Sequence, residues 1–393
     1  MRQKIRAYIF TGAQSRVLIA VAICFCAGFL FSLVWAPEIM KTSKSAEKDA
    51  IEQLRQAQKD CAGEQERNKQ ILCYKKQLKT PLEHAGPAPY IRAVESLFGT
   101  HADEKNSVTM CHDLLHVVGG LAGASSGDFA SVVSSCTEAC TYGCYHGTIE
   151  GATSAGRTSD DLITACAGLA RGASKSACFH GLGHGAASLT SFRLYDALAI
   201  CDNVPQDWRA DCGSGVMMEI YEPSTFVHER KEFPDDIPAF CATLRNPYSD
   251  TCYTTAGLHA YARSKGVSEA FATCRRVPQE FRNRCIFYIG HNAYFVFNGT
   301  VKEIELLCAA GRESASDESP LCLQGAITAS VVADSSAVSG FGICASAEME
   351  NRQSCADFLV TRLDEHLGRD VRARLCEITV SPDWLKEICR MHP

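Results

Sequence analysis

The sequence lacks most of the short signatures that announce a chemistry. No Cys-x-x-Cys pair occurs among its 393 residues, so zinc ribbons and haem attachment through Cys-x-x-Cys-His have no support. Neither a P-loop nor an HExxH helix is present, and no GxGxxG follows a strand-like run. The glycines of Gly181–Gly185 read as a helix start rather than a nucleotide loop. An excess of charge of one sign is also missing: the net charge is −6, with acidic and basic residues interspersed. That excludes an extended phosphate-binding surface, and with it a nucleic-acid partner. With 46% hydrophobic and 21% charged residues, the chain is neither disordered nor collagen-like.

Cysteine, by contrast, is abundant. Twenty-two of them are more than a reducing compartment holds without a purpose. With no zinc-ribbon spacing available, oxidation to disulfides is the better explanation. The N-terminus agrees. Arg2, Lys4, Arg6 and Arg16 precede an uncharged run from Val17 to Ala36, long enough to span a bilayer as a helix. The basic residues before it favour a cytoplasmic N-terminus. The expected layout is therefore a cytoplasmic tail over 1–16 and a transmembrane signal anchor over 17–36. A stalk and first hairpin follow over 37–80, then a disulfide-rich helical repeat domain over 81–393 in the periplasm or outside the cell. Pro37 after Ala36 makes a poor cleavage junction, which argues against a removable signal peptide. Cys24 and Cys26 fall inside the membrane segment and lack the small preceding residue of a lipoprotein site.

The twenty remaining cysteines carry a period. Cys73, Cys111, Cys144, Cys178, Cys212, Cys252, Cys285, Cys322, Cys355 and Cys389 recur about every 34 residues, the period of a helix-turn-helix array. Most have an upstream partner 11 or 12 residues away, as in Cys166–Cys178, Cys201–Cys212, Cys241–Cys252, Cys274–Cys285 and Cys344–Cys355. Cys61–Cys73, Cys376–Cys389 and Cys308–Cys322 are spaced by 12, 13 and 14. The turn chemistry between partners recurs too. Val204-Pro205-Gln206-Asp207-Trp208 matches Val277-Pro278-Gln279-Glu280-Phe281, and Asn246-Pro247-Tyr248 and Ser381-Pro382-Asp383-Trp384 fill the same slot. Proline there closes one helix and opens the next, and the aromatic is expected in the seam between repeats. Each unit thus reads as a short helix A ending at the first cysteine, a proline turn, and a helix B opening near the second. The expected fold is all-α: a disulfide-stapled α-hairpin array, or α-solenoid. Nine pairs within repeats, if Cys136 takes Cys144, leave Cys111 and Cys140 to bond across neighbouring repeats; spacing alone leaves the pairing of Cys111, Cys136, Cys140 and Cys144 open. In general form the array resembles secreted, disulfide-stapled helical repeats of the tetratricopeptide and Sel1 class. That likeness is architectural and implies no function.

Histidine follows the same register. Seven of the twelve histidines fall within seven residues after one of the nine second cysteines from Cys73 to Cys355, where about two would land by chance. Cys111 is followed by His112 and His116, Cys144 by His146 and Glu150, and Cys178 by His180 and His184. Residues four apart share a helix face, so three consecutive B helices would present five imidazoles and a carboxylate along one surface. This donor set suits zinc, iron, manganese or copper, and His/Glu pairs on facing helices build di-metal sites in helical proteins. A fourth repeat breaks the pattern with Ser214 and Met218, which a repeat-wide structural role does not explain. Glu219 and Asp113 are candidate supports for the ligands, and His259 and His291 are outliers that join only if the array curls tightly. Haem ligation by a histidine pair is the lesser alternative. A non-catalytic scaffold, holding an envelope protein or peptide in its concave face, is the rival function. Glycine recurs three residues after Cys144, Cys178, Cys212 and Cys322, and five after Cys252 and Cys285. Since glycine costs a helix about 1 kcal/mol relative to alanine, this repetition implies close approach of adjacent B helices or of a ligand.

Overall fold

The computed structural model describes residues 45–98, 107–137, 139–170, 172–221, 233–264, 266–313, 317–333, 337–378 and 382–391. The Val17–Ala36 segment lies outside them. Among the described residues no helix is long and apolar enough to cross a membrane, and none forms a strand.

Among the described residues the protein is all-helical and one motif occurs ten times: an outer helix, a turn and an inner helix. The inner helices are α1 (Arg67–Ala85), α2 (Ser107–Ser125), α3 (Gly143–Ser154), α4 (Gly172–Leu189), α5 (Arg209–Tyr221), α6 (Tyr248–Ser264), α7 (Gln279–Val296), α8 (Ser319–Ala333), α9 (Arg352–His366) and α10 (Asp383–Met391). The expected stalk is itself the first hairpin: a helix over 45–61 is stapled to α1 by Cys61–Cys73. Outer helices are short, for example Ser159–Ala167, Leu194–Cys201 and Val267–Arg276. Several open on a side-chain cap. Thr158 and Asp161 form a reciprocal capping box, and Asp128 and Asp236 accept from the backbone N–H three residues on. These caps satisfy orphan donors that so short a helix cannot satisfy itself.

Among the described residues ten disulfides form. Nine close a hairpin, at sequence separations of 8 to 14, while Cys111–Cys140 joins the second and third hairpins and, with Cys136–Cys144, settles the pairing that spacing left open. Its origin is visible in the second hairpin, whose outer helix Pro87–Phe98 carries no cysteine. Cys111 therefore reaches forward to the turn before α3. Small hairpins bury little apolar surface, and each closed loop of about 12 residues contributes roughly 3 kcal/mol in the chain-entropy account.

Consecutive inner helices pack side by side along the array. The turn aromatics fill the seams as expected. Trp208 stacks on Phe179 (6.2 Å between centroids) and Phe281 on Tyr253 (5.2 Å), and Tyr248 packs over Gly213. In these three cases the aromatic lands on the residue just after the second cysteine of the preceding repeat. The array also curls: the turn Cys140–Tyr142 of the third hairpin lies against α8 of the eighth.

Glycine sets how close the inner helices come. A Cβ on Gly147 would collide with the His116 carbonyl, and one on Gly151 with that of Gly120. From the other side, Gly119 and Gly123 meet the carbonyls of Cys144 and Thr148. Backbone thus meets backbone along the α2–α3 seam. The same contact recurs at α4–α5, through Gly183 and Gly215, and at α7–α8, through Gly290 and Gly325. The sequence left two explanations for these glycines open, and close approach of neighbouring helices accounts for them.

Candidate metal centre

The glycine seams position the histidine face. His112 and His116 project from α2, His146 and Glu150 from α3, and His180 and His184 from α4. With the helices in backbone contact at α2–α3, imidazoles from adjacent helices meet ring to ring. Centroids are 5.5 Å apart for His112–His146 and 5.1 Å for His146–His180 and for His146–His184. His180 and His184 are also 5.1 Å apart, and His112 and His116 5.9 Å. All six residues expected from the sequence therefore belong to one cluster. Within it, one ligating atom each from His146, His180 and His184 lie within 4.8 Å of one another, and so do those of Glu150, His184 and Glu219. His184 belongs to both sets.

Two rings are held from behind. His184 Nδ1 is 2.7 Å from Glu219 Oε2, with both side chains buried. A carboxylate accepts, so Nδ1 carries the proton and Nε2 keeps its lone pair. That Nε2 faces His180 Nε2 at 3.2 Å. His112 Nδ1 lies 3.1 Å from the Cys140 carbonyl oxygen and 2.8 Å from Thr141 Oγ1. The carbonyl can only accept, which again leaves Nε2 free for the cluster. Carboxylates and carbonyls behind imidazoles are the usual outer supports of metal-ligating histidines.

The Cys140 support is built with backbone strain. Cys140, Thr141 and Tyr142 have φ of 52°, 53° and 64°, three consecutive left-handed residues of which none is glycine. Such conformations cost on the order of 1 to 3 kcal/mol each and persist only where surrounding structure fixes them. Here the Cys111–Cys140 bond and the His112 hydrogen bond both do so.

The electrostatics favour neutral rings. Burial, then the neighbouring His116, lowers the His112 pKa to about 4. Burial, then His184 and His112, lowers that of His180 to about 3. Burial, then His184 and His180, holds His146 well below the ordinary imidazole value. Neutral imidazole is the form that binds metal. His116 departs from the others: burial opposes its charge, but Glu150 outweighs that and raises its pKa. Glu150 is lowered in return, the pull of His116 overcoming the burial that would raise it. His116 Nε2 and Glu150 Oε1 are 3.2 Å apart, yet the pair is not aligned as a hydrogen bond and both atoms are buried without one.

Of the two supports expected from the sequence, Glu219 contacts a histidine of the cluster and Asp113 does not. Asp113 is taken by Arg67, which donates to both its oxygens at 2.7 Å. His259 stacks on Phe233 at 4.0 Å and bonds Thr255 Oγ1 at 2.9 Å, a packed core residue. His291 sits between Tyr288 and Phe295 with its pKa lowered to about 4 by burial, outside the cluster. The segment Gly123-Ala124-Ser125-Ser126-Gly127 matches GxSxG, but Ser125 ends a helix and donates to Leu121 O at 2.8 Å. A nucleophile elbow needs a strand before the turn. The support missed in the sequence is the carbonyl of Cys140, since a backbone acceptor leaves no residue-type signal.

The chain matches no protein-family model, no curated protein and no solved structure. The reading of the centre therefore stands on its geometry.

Proposed function

We propose that the protein is a metal-binding protein of an oxidising, extracytoplasmic compartment, held to the membrane by Val17–Ala36. In this reading His146, His180 and His184 hold a transition-metal ion, and His112, His116 and Glu150 complete the metal-binding face. The observation that carries it is the convergence of three imidazoles within 4.8 Å, one of them, His184, anchored from behind by the buried Glu219 carboxylate. A solvated polar stripe has no need of buried anchors. Three imidazoles leave a position open for water or substrate, as catalytic zinc sites do, so the reaction class this set serves is activation of water or oxygen. Rings whose near neighbours are other rings, at 5.1 to 5.9 Å, favour bare ions over a haem macrocycle.

The test is elemental analysis of the full chain, purified without chelator. A stoichiometric transition metal is expected, lost on His180→Ala and His184→Ala. Absence of any such metal from the wild-type protein would refute the reading, and a Soret band would select haem instead.

A further inference from the structure

We propose that α7 and α8 form the substrate wall of the metal centre, with His291 and Gln324 as positioning residues for a small uncharged molecule that donates a hydrogen bond. The proposal rests on the metal reading above and deepens it, since it says what class of molecule meets the ion's open position.

The α4–α5 seam, which carries two of the metal ligands, is built a second time at α7–α8. A Cβ on Gly215 would strike the His180 carbonyl, and one on Gly325 would strike the Phe287 carbonyl in the same way. Gly183 meets the carbonyl of Cys212, and Gly290 meets that of Cys322. Residue for residue, Phe287 therefore stands where His180 does, and His291 where His184 does. Each pair lies two and six residues after its second cysteine. Gln324 takes the place of Ser214, and Ala329 that of Glu219. The copy keeps one imidazole and lacks the carboxylate behind it, so it is not a second metal set.

The curl of the array turns this copy toward the metal face. The turn Cys140–Tyr142, whose Thr141 Oγ1 bonds His112 at 2.8 Å, lies against α8. From α7, Tyr288 feels the charge of Asp211 on α5: burial, then that carboxylate, raises its pKa. Asp211 itself accepts from Ser176, one turn before His180. His291 and Gln324 are part-buried, and neither side chain has a hydrogen-bond partner among the described residues. A largely apolar wall with a few polar groups free to converge on a guest is the usual form of a ligand site. From α5 to α8, none of the residues two and six after the second cysteine is acidic or basic except His291. Burial lowers the His291 pKa to about 4 and keeps that ring neutral. The wall thus offers an anion no partner. A neutral imidazole nitrogen and an amide oxygen both accept, which suits a guest with an N–H or O–H.

The experiment loads the demetallated full chain with Co(II) and follows its visible bands at mildly alkaline pH against imidazole, pyridine and azide. Imidazole carries an N–H besides the atom that coordinates, pyridine carries none, and azide is an anion. Wild type should bind imidazole more tightly than azide. His291→Phe and Gln324→Leu should keep the Co(II) stoichiometry and each weaken imidazole about 5-fold, the scale of one hydrogen bond, while leaving pyridine unchanged. Equal loss of imidazole and pyridine would mark a merely structural role and overturn the proposal. Unchanged imidazole affinity in both variants, or azide bound as tightly as imidazole by the wild type, would overturn it too. In each of these cases full Co(II) loading leaves the metal reading standing, whereas a wild type that takes up no Co(II) would overturn both.

Discussion

Acidifying the metal-free protein should weaken the packing of α2, α3 and α4 well before ordinary acid unfolding. Three of their imidazoles, His112, His146 and His180, have pKa values lowered in the folded state, to about 4 for His112 and about 3 for His180. The unfolded chain titrates near 6.5. Below that pH the unfolded state takes up protons that the folded state refuses, so stability is complete above 6.5 and is lost as pH falls toward 4 and 3. His116 has the opposite sign: its raised value stabilises the fold below 6.5 and loses that contribution as pH rises through it, outside this window. Each depressed ring loses roughly 1.4 kcal/mol per pH unit. Between pH 6.5 and 5 that is about 2 kcal/mol per ring, and partial exposure and mutual coupling reduce the set to on the order of 4 kcal/mol. Thermal unfolding with disulfides intact and chelator present, at pH 7, 6 and 5, reads this directly. The midpoint should drop steeply across the series and flatten in His112→Asn/His180→Asn. A wild-type midpoint that does not move between pH 7 and 5, or a double variant as steep as the wild type, would refute the reasoning.

Removing the Glu219 carboxylate should weaken metal binding by about 10- to 100-fold in Glu219→Ala, the usual effect of losing a ligand's outer partner, and less in Glu219→Gln, whose amide oxygen still accepts from His184. Chelator competition measures both. Gly147→Ala gains about 1 kcal/mol of helix propensity but drives a methyl into the His116 carbonyl. Overpacking of about 1–3 kcal/mol or more should win, seen as a lower unfolding midpoint together with lost metal. Replacing Cys201 and Cys212 by serine should cost about 3 kcal/mol and leave metal stoichiometry intact, since that staple touches no ligand.

Much of this was legible in the sequence because covalent geometry ties it to spacing. A disulfide across a tight hairpin demands nearly constant separation, so the cysteines announced their partners, and Cys111 and Cys140 followed from what was left. The four-residue interval of His112/His116, His146/Glu150 and His180/His184 is a property of one helix and survives in one dimension. The contribution of Glu219 comes one residue out of that register, at a position fixed by how α5 leans on α4, and spacing gave it only as a support. The Cys140 carbonyl is a backbone group on a left-handed turn and has no signature in residue type. Spacing set His259 and His291 two repeats or more away from the other five, and the fold leaves both outside the cluster. Their separation from the cluster is decided by the curl of the whole array, which no single repeat encodes.

The one bond that crosses between hairpins bears on how the molecule would come apart under tension. Nine staples close loops inside single hairpins, so a pull on the two ends could separate neighbouring hairpins while leaving each loop's slack locked away. Between the second and third hairpins Cys111–Cys140 blocks even that separation. The junction where His112 and His146 face each other is thus held by a covalent bond, whereas the other described junctions between hairpins rely on packing alone.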